Sequence, residues 1–329
     1  VAVSCVLSLY VLKHLYFDGV PVFDGPVYTW LVSDGVQMQV GFLLDRLSAL
    51  ATTALFTAVN GLLLQTVPVP QPETLVRLSA AGDNNMRRSS SDYGFAEPHE
   101  GRPVRSSFSF AGYQAMRDAN QTLVDLAAFA PVDATNVIVN GTAEIASTHG
   151  VSGNFFSVMR VPIALGRPIA ADDDRAGAEA VGVISHAYWR RRFGSDASIV
   201  GKSFRMNNAP VTVVGVTAPS YTGLMRLGGP APELTIPLSA DAILNPAQAR
   251  RLQEPTTWWL LLMRRLKEDT TLAQVAGNLE GPFQASARAG MDGYINALKP
   301  EQRALSNKQR RGNAVPSLLA RSGEHGTYE

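Results

Sequence analysis

Several short stretches carry side chains that can do chemistry. Gly201-Lys202-Ser203 matches the end of a phosphate-binding P-loop, in which backbone amides wrap the phosphates and a lysine neutralises them. Such a loop needs a glycine five residues before Gly201, and this chain has Asp196 there, with Gly194 two residues too early. A carboxylate at that place repels phosphate, so a turn between strands is expected and ATP hydrolysis by this chain is not. Gly150-Val151-Ser152-Gly153-Asn154 falls one residue short of the G-x-S-x-G nucleophile elbow. His149 is near in sequence, but a general base must come from elsewhere in space with an acid to orient it. A turn leading into a short packed helix at Asn154-Phe155-Phe156 is the competing reading. Asp172-Asp173-Asp174 offers oxygen ligands without the spacing and terminal glutamate of an EF-hand loop. His14, His99, His149, His186 and His325 lie far apart, and Cys5 is the single cysteine, so neither a zinc cluster nor an intramolecular disulfide is expected. Arg190-Arg191-Arg192 reads as the wet face of an amphipathic helix, with no nucleic-acid module beside it. No catalytic, cofactor-binding or metal-ligating residue is assigned.

The elements that position these residues alternate in kind. A strand at Leu75–Leu78 leads into a Ser-, Gly-, Arg- and Pro-rich stretch over 79–106 that reads as a mobile loop. A helix follows at Phe110–Ala119. Asn140-Gly141 between Val137–Val139 and Thr142–Ala146 is a hairpin signal, because both turn positions need positive φ. Ala180–Ser185 reads as a strand feeding a helix at His186–Phe193, and Ser203–Met206 pairs with Val211–Val216 as a second hairpin. Trp258–Leu266 is a further strand, and Asp269 or Thr270 is placed to cap a helix from Thr271 onward. The expected fold is α+β, a bilobed domain of mixed βα and ββ units preceded by one transmembrane helix.

Charge is divided unevenly. The net charge is +1 and the mean hydropathy +0.01. Residues 1–70 hold Lys13 and Arg46 against Asp18, Asp24, Asp34 and Asp45, a net of −2; the remaining 27 basic and 24 acidic residues give +3. Val1–Leu12 is an apolar run too short for a span and fits the tail of a longer one. Leu47–Val67 holds no formal charge over 21 residues, about the length that crosses a bilayer. Pro68 and Pro70 end that helix.

Ordered blocks carry a resemblance. Ala51–Leu64, Glu73–Arg77, Val151–Phe156, Leu165–Arg167, Val183–Gly194, Ile199–Gly201, Val213–Val216, Trp259–Lys267 and Thr271–Gln274 resemble, in that order, ABC-transporter permeases of the macrolide-exporter type, the family with a MacB-like periplasmic core domain. This resemblance covers about residues 51–280. Pro26–Trp30, Ser33–Gly35 and Val40–Leu50 resemble the L subunit of bacterial NADH-quinone oxidoreductase, so the chain reads as a chimera joined near Leu50/Ala51.

The organisation implied is a respiratory-subunit-like membrane segment (1–50), a transmembrane helix (47–69), a MacB-like periplasmic core domain (70–298) and a polar, disordered tail (299–329). The resemblance implies a non-enzymatic permease component of an efflux system in the bacterial inner membrane. Its main domain is then periplasmic and relays motion driven by ATP on a separate cytoplasmic ABC ATPase subunit. A second permease copy, a periplasmic adaptor and membrane lipid are the implied partners, and nucleic acid is not. The family's later membrane helices do not follow residue 267, so a truncated permease is expected. The rival readings are a fragment of the proton-pumping oxidoreductase and a soluble hydrolase built on Ser152.

Overall fold

The structure, a computed structural model, describes residues 2–18, 23–33, 36–44, 50, 66–93, 98–119, 126–225, 231–246, 248–309 and 312–325. The chain divides into two compact units, Val1–Gln65 and Thr66–Glu329. In the first, α1 (Ala2–Tyr16) ends on Lys13 and His14, which suit the negative end of the helix dipole. β1 (Phe23–Ser33) and β2 (Val36–Leu44) form an antiparallel pair. The sequence reading contained no strand here, although Asp34-Gly35 between the two runs is a hairpin dipeptide.

Among the described residues no helix is long and apolar enough to cross a membrane. The span expected over 47–69 falls largely on residues 51–65, which lie outside the described residues. Its final stretch is corrected. Residues 66–69 are not helical, Val67 and Val69 are buried in the second unit's own core, and the Val67 N–H donates to the Glu324 carbonyl (2.8 Å).

The second unit is mixed α+β. Its strands are β3 (Leu75–Ala81), β4 (Ser89–Ser90), β5 (Val104–Arg105), β6 (Ala127–Val139), β7 (Thr142–Val151), β8 (Ile163–Gly166), β9 (Val181–Ile184), β10 (Ser203–Met206), β11 (Ala209–Thr217), β12 (Leu234–Pro237), β13 (Thr257–Trp258), β14 (Leu261–Arg265) and β15 (Ser317–Ser322). Its helices are α2 (Phe110–Ala119), α3 (Phe155–Met159), α4 (His186–Phe193), α5 (Leu238–Leu244), α6 (Leu272–Ala297) and α7 (Pro300–Gln309). Among the described residues one sheet runs β10-β11-β9-β12-β7-β6-β14-β3-β15, with β5 on β3 and β8 on β11. The two lobes expected from the sequence share this sheet.

Its β15-β3-β14 end is a layered sandwich. On one face lies α6, whose Val275, Leu279, Phe283, Ala287, Met291 and Ile295 are buried at helical spacing. Thr271 caps it, not Asp269 or Thr270. The Thr271 Oγ1 accepts from Gln274 N while the Gln274 side chain accepts from Thr271 N (2.8 Å), a capping box. Asp269 is instead left-handed, at φ 64°. On the opposite face α3 packs Phe155, Phe156 and Met159. Arg265 is buried there because every arm is used: it donates to Val158 O (2.7 Å), Met159 O (2.8 Å), Gln71 O (2.8 Å) and Thr74 Oγ1 (2.7 Å). This satisfies carbonyls that the end of α3 leaves open. Arg264 beside it is also buried, its pKa lowered by that burial, with neither Nη atom hydrogen-bonded among the described residues.

Two expectations fail here. The tail over 299–329 is not disordered in its described part: α7 forms, and β15 pairs antiparallel with β3 from Ser317↔Ala81 to Ser322↔Val76, burying Leu318. The loop over 79–106 is largely structured too. β3 runs on to Ala81, Met86 is buried, and Asp92 accepts from Ser107 Oγ (2.8 Å) and Arg87 Nη1 (3.2 Å).

The other end of the sheet closes. The β6–β7 hairpin turns at Asn140 (φ 49°) and Gly141 (φ 78°), as a two-residue turn requires. A register shift between Val132 and Thr135 marks where β6 leaves the layered half. Beyond it β6 pairs with β10 at Arg205↔Ile138 and Met206↔Val137, so β6-β7-β12-β9-β11-β10 form a closed ring. Val137, Met206, Val211, Val213, Leu234 and Ile236 belong to its core cluster.

Candidate functional site

The structure gives most of the sequence candidates a bonded, structural role. Gly201 is a turn at φ 86°, its N–H donating to Val213 O (2.8 Å). Lys202 Nζ donates to Asp196 Oδ2 (3.2 Å) and Ser198 Oγ (2.6 Å). Ser198's hydroxyl and N–H, then Lys202, hold the Asp196 carboxyl down at about 2. A fixed negative charge therefore occupies the neighbourhood where a P-loop would hold phosphate.

Ser152 is buried and ties β7 to β6. Its Oγ donates to Asn154 Oδ1 (2.7 Å) and accepts from Ala128 N (3.0 Å), while Asn154 Nδ2 donates to Leu126 O (2.9 Å). His149 sits in the β7 ladder between Pro131 and Thr235. Burial lowers its pKa to about 4, keeping the imidazole neutral.

The aspartate run is a set of ties. Asp173 accepts from Arg167 Nη1 (2.6 Å) and Nη2 (2.8 Å) and from Ala170 N (2.8 Å), and the Arg167 guanidinium holds its pKa down. Asp174 accepts from Gly153 N (2.9 Å) and Ser239 N (2.8 Å), joining the turn before α3 to the start of α5; burial pushes its pKa up. Asp172 remains exposed. Among the described residues no group of His, Cys, Asp or Glu is arranged to hold a metal.

The arginine run is not simply a wet face. Arg190 and Arg191 are exposed and Arg192 is half-buried. Arg191 Nη2 donates to Glu233 Oε1 (2.6 Å), and Arg192 Nη2 donates to Val139 O (3.0 Å) and Thr142 O (2.8 Å) at the hairpin turn. Arg192 also meets Glu144 (3.1 Å), which accepts from the Tyr188 hydroxyl (2.7 Å). Three consecutive helical residues spread over most of a turn, so they cannot all face one way.

The fold thus brings Arg192 and Lys202 to one place and leaves Ser152 and the aspartates at another. Between the hairpin tip, the loop after α4 and β10 lies a cleft of about 600 Å³ that Arg192, Lys202 and Arg205 line. Sequence reasoning missed Arg205 and Phe204. Their only local signal is the alternation of a short strand, and the cleft arises from pairing between β6 and β10, far apart in the chain.

Three of the blocks of resemblance, Val151–Phe156, Leu165–Arg167 and Val183–Gly194, carry residues of these ties. At Leu165–Arg167, Gly166 has φ 73°, and a Cβ there would lie 2.3 Å from Val214 O, so glycine is what lets β8 lie against β11. What results is a mixed α+β domain held together by polar ties between its elements. The match to the MacB-like periplasmic core domain spans residues 47–281, and the chain belongs to that family. The family is one of ABC-transporter permease domains and not of enzymes.

A probable export ATP-binding/permease protein MacB of Pseudomonas entomophila is 39% identical over 70 residues, 21% of this chain and 10% of that protein. NADH-quinone oxidoreductase subunit L of Neisseria meningitidis serogroup A is 48% identical over 50 residues, 15% of this chain and 7% of that protein. The chain therefore spans a tenth or less of the length of these curated relatives. The periplasmic region of MacB from Actinobacillus actinomycetemcomitans is similar at a TM-score of 0.45 and 12% identity, over 78% of this chain and 91% of that one.

Proposed function

We propose that this chain is a permease component of an efflux-type ABC transporter. Its 66–329 unit would work outside the cytoplasm of a bacterial inner membrane, held there by a span that ends before Thr66. The match of residues 47–281 to the MacB-like periplasmic core domain carries this reading. In it, ATP is bound and hydrolysed on a separate cytoplasmic ABC ATPase, and this domain relays the motion to a substrate, a second permease copy or a periplasmic adaptor through its surfaces. The bonded roles of Ser152, Asp173, Asp174 and Lys202 favour relay over catalysis. Ser152→Ala is expected to leave any hydrolytic background unchanged.

The test is affinity capture of the tagged chain from bacterial membranes, with ABC ATPase subunits as the expected partners. A second reading rests on the 50-residue similarity to subunit L, in which residues 1–50 belong to a respiratory membrane subunit joined to the permease near Leu50/Ala51. Capture of quinone oxidoreductase subunits in place of the ATPase would overturn the first reading. Sequencing reads across codons 50 and 51 test the join.

A further inference from the structure

The seam that closes the barrel is incomplete, and its gap has the chemistry of a ligand site. β6 and β10 pair only at Arg205↔Ile138 and Met206↔Val137. Carrying that antiparallel register onward sets Phe204 against Val139 and Ser203 against Asn140, yet neither couple is paired. The strands part there, and all four residues line the 600 Å³ cleft. Buried Val139, Ile199 and Phe204 make an apolar floor, with half-exposed Ile138 and Phe193 beside it.

The rim is positive: Arg192, Lys202 and Arg205 line the cleft against one carboxylate, Asp196. Lys202 is answered by Asp196 (3.2 Å) and Arg192 by Glu144 (3.1 Å). Arg205 lies on the exposed side of β10 and has no ion-pair partner among the described residues. An apolar floor beneath a cation without a counter-ion is complementary to a molecule with an apolar body and one negative head. The volume lies within the range of small-molecule sites, roughly 300–1,000 Å³.

We propose that this cleft binds an amphipathic monoanion, its acid group on Arg205 and its apolar body along Ile138, which pairs with Arg205 and shares its face, at the gap between the parted strands. The site does not depend on the transport reading, and Arg205 takes part in none of the tethers described above.

The test is a titration of the full chain, labelled at isoleucine methyl groups, with decanoate below its micelle concentration. Saturable shifts are expected at Ile138 and Ile199 and not at Ile295 on α6. Arg205→Glu turns one attraction into a repulsion and should weaken binding about tenfold, with Arg205→Gln weakening it less. Decyltrimethylammonium, an apolar tail of similar length with the opposite charge, should leave those methyls unmoved, as should acetate, the head without the tail. Arg205 is exposed and outside the core clusters, so unchanged spectra away from the cleft will report that the variants fold. Shifts spread equally to Ile295, equal binding of the cationic amphiphile, or unaltered affinity in both variants would overturn the proposal.

Discussion

The two ends of the large sheet solve the same problem differently. At the β14-β3-β15 end the sheet stays open, and helices bury it from both faces: α6 and α2 on one side, α3 on the other. Aromatic side chains fill the α6 side, with Trp258 stacked on Phe108 at 6.1 Å and edge-on to Phe283 at 5.7 Å. At the β10-β11-β9 end the sheet curls on itself, and its own side chains fill the inside. Closing removes exposed strand edges, but here the closure rests on two residue pairs and leaves a cleft. One hairpin, β6–β7, belongs to both ends, with its register shift at Val132–Thr135 as the change of regime.

The largest expected effect tests whether that hairpin couples the two ends. Trp258→Ala removes a fully buried ring, and comparable truncations cost about 3–5 kcal/mol. Chemical denaturation of the full chain should show a loss of that size. Native-state hydrogen exchange should show amides of both β14 and β11 losing protection together. If the β11 amides keep their protection, the ends unfold independently and the shared hairpin transmits nothing.

The next effect lies where the hairpin crosses from one end to the other. His149 titrates at about 4 in the folded protein against 6.5 ordinarily, because burial penalises the imidazolium. The unfolded chain takes up a proton below pH 6.5 while the native state does not. The stability His149 contributes is therefore complete above pH 6.5 and is lost as pH falls toward 4, by up to about 3 kcal/mol. Asp174 acts in the opposite direction, since its raised pKa lets the native state gain a proton as pH falls. The difference between wild type and His149→Phe isolates the imidazole. The variant should lose the downward slope between pH 6.5 and 4, and an unchanged slope would mean that the crossing point is open to water.

Local signals made part of this structure legible. Asn140-Gly141 located its turn, and the helices at Phe110–Ala119 and His186–Phe193 have the bounds expected from the sequence. What escaped is what distance creates. β15 comes from a stretch whose polarity suggests disorder, and it is ordered by a partner strand more than two hundred residues earlier. β12 is four residues long and is buried between parallel β7 and antiparallel β9, so it shows no alternation to read. Lys202 was visible as chemistry, but its relation to Arg205 and Arg192 required the ring to close. The final residues of the expected span were misread because valines are as apolar in a protein core as in a bilayer.

The smallest effect examines the curled end alone. Arg191 bonds Glu233 at 2.6 Å, but its side chain is 55% exposed and that of Glu233 28%, so water and salt compete for both partners. Such pairs contribute between zero and about 1 kcal/mol. Arg191→Ala should therefore cost less than 1 kcal/mol by denaturant titration, and 0.5 M salt, at roughly a 4 Å Debye length, should narrow the difference further. Arg192 beside it holds two carbonyls of the turn, and its loss would be a different experiment. A cost well above 1 kcal/mol for Arg191 would show that α4 clamps the ring shut. The barrel would then owe its closure to the helix outside it and not to the two pairs between β6 and β10.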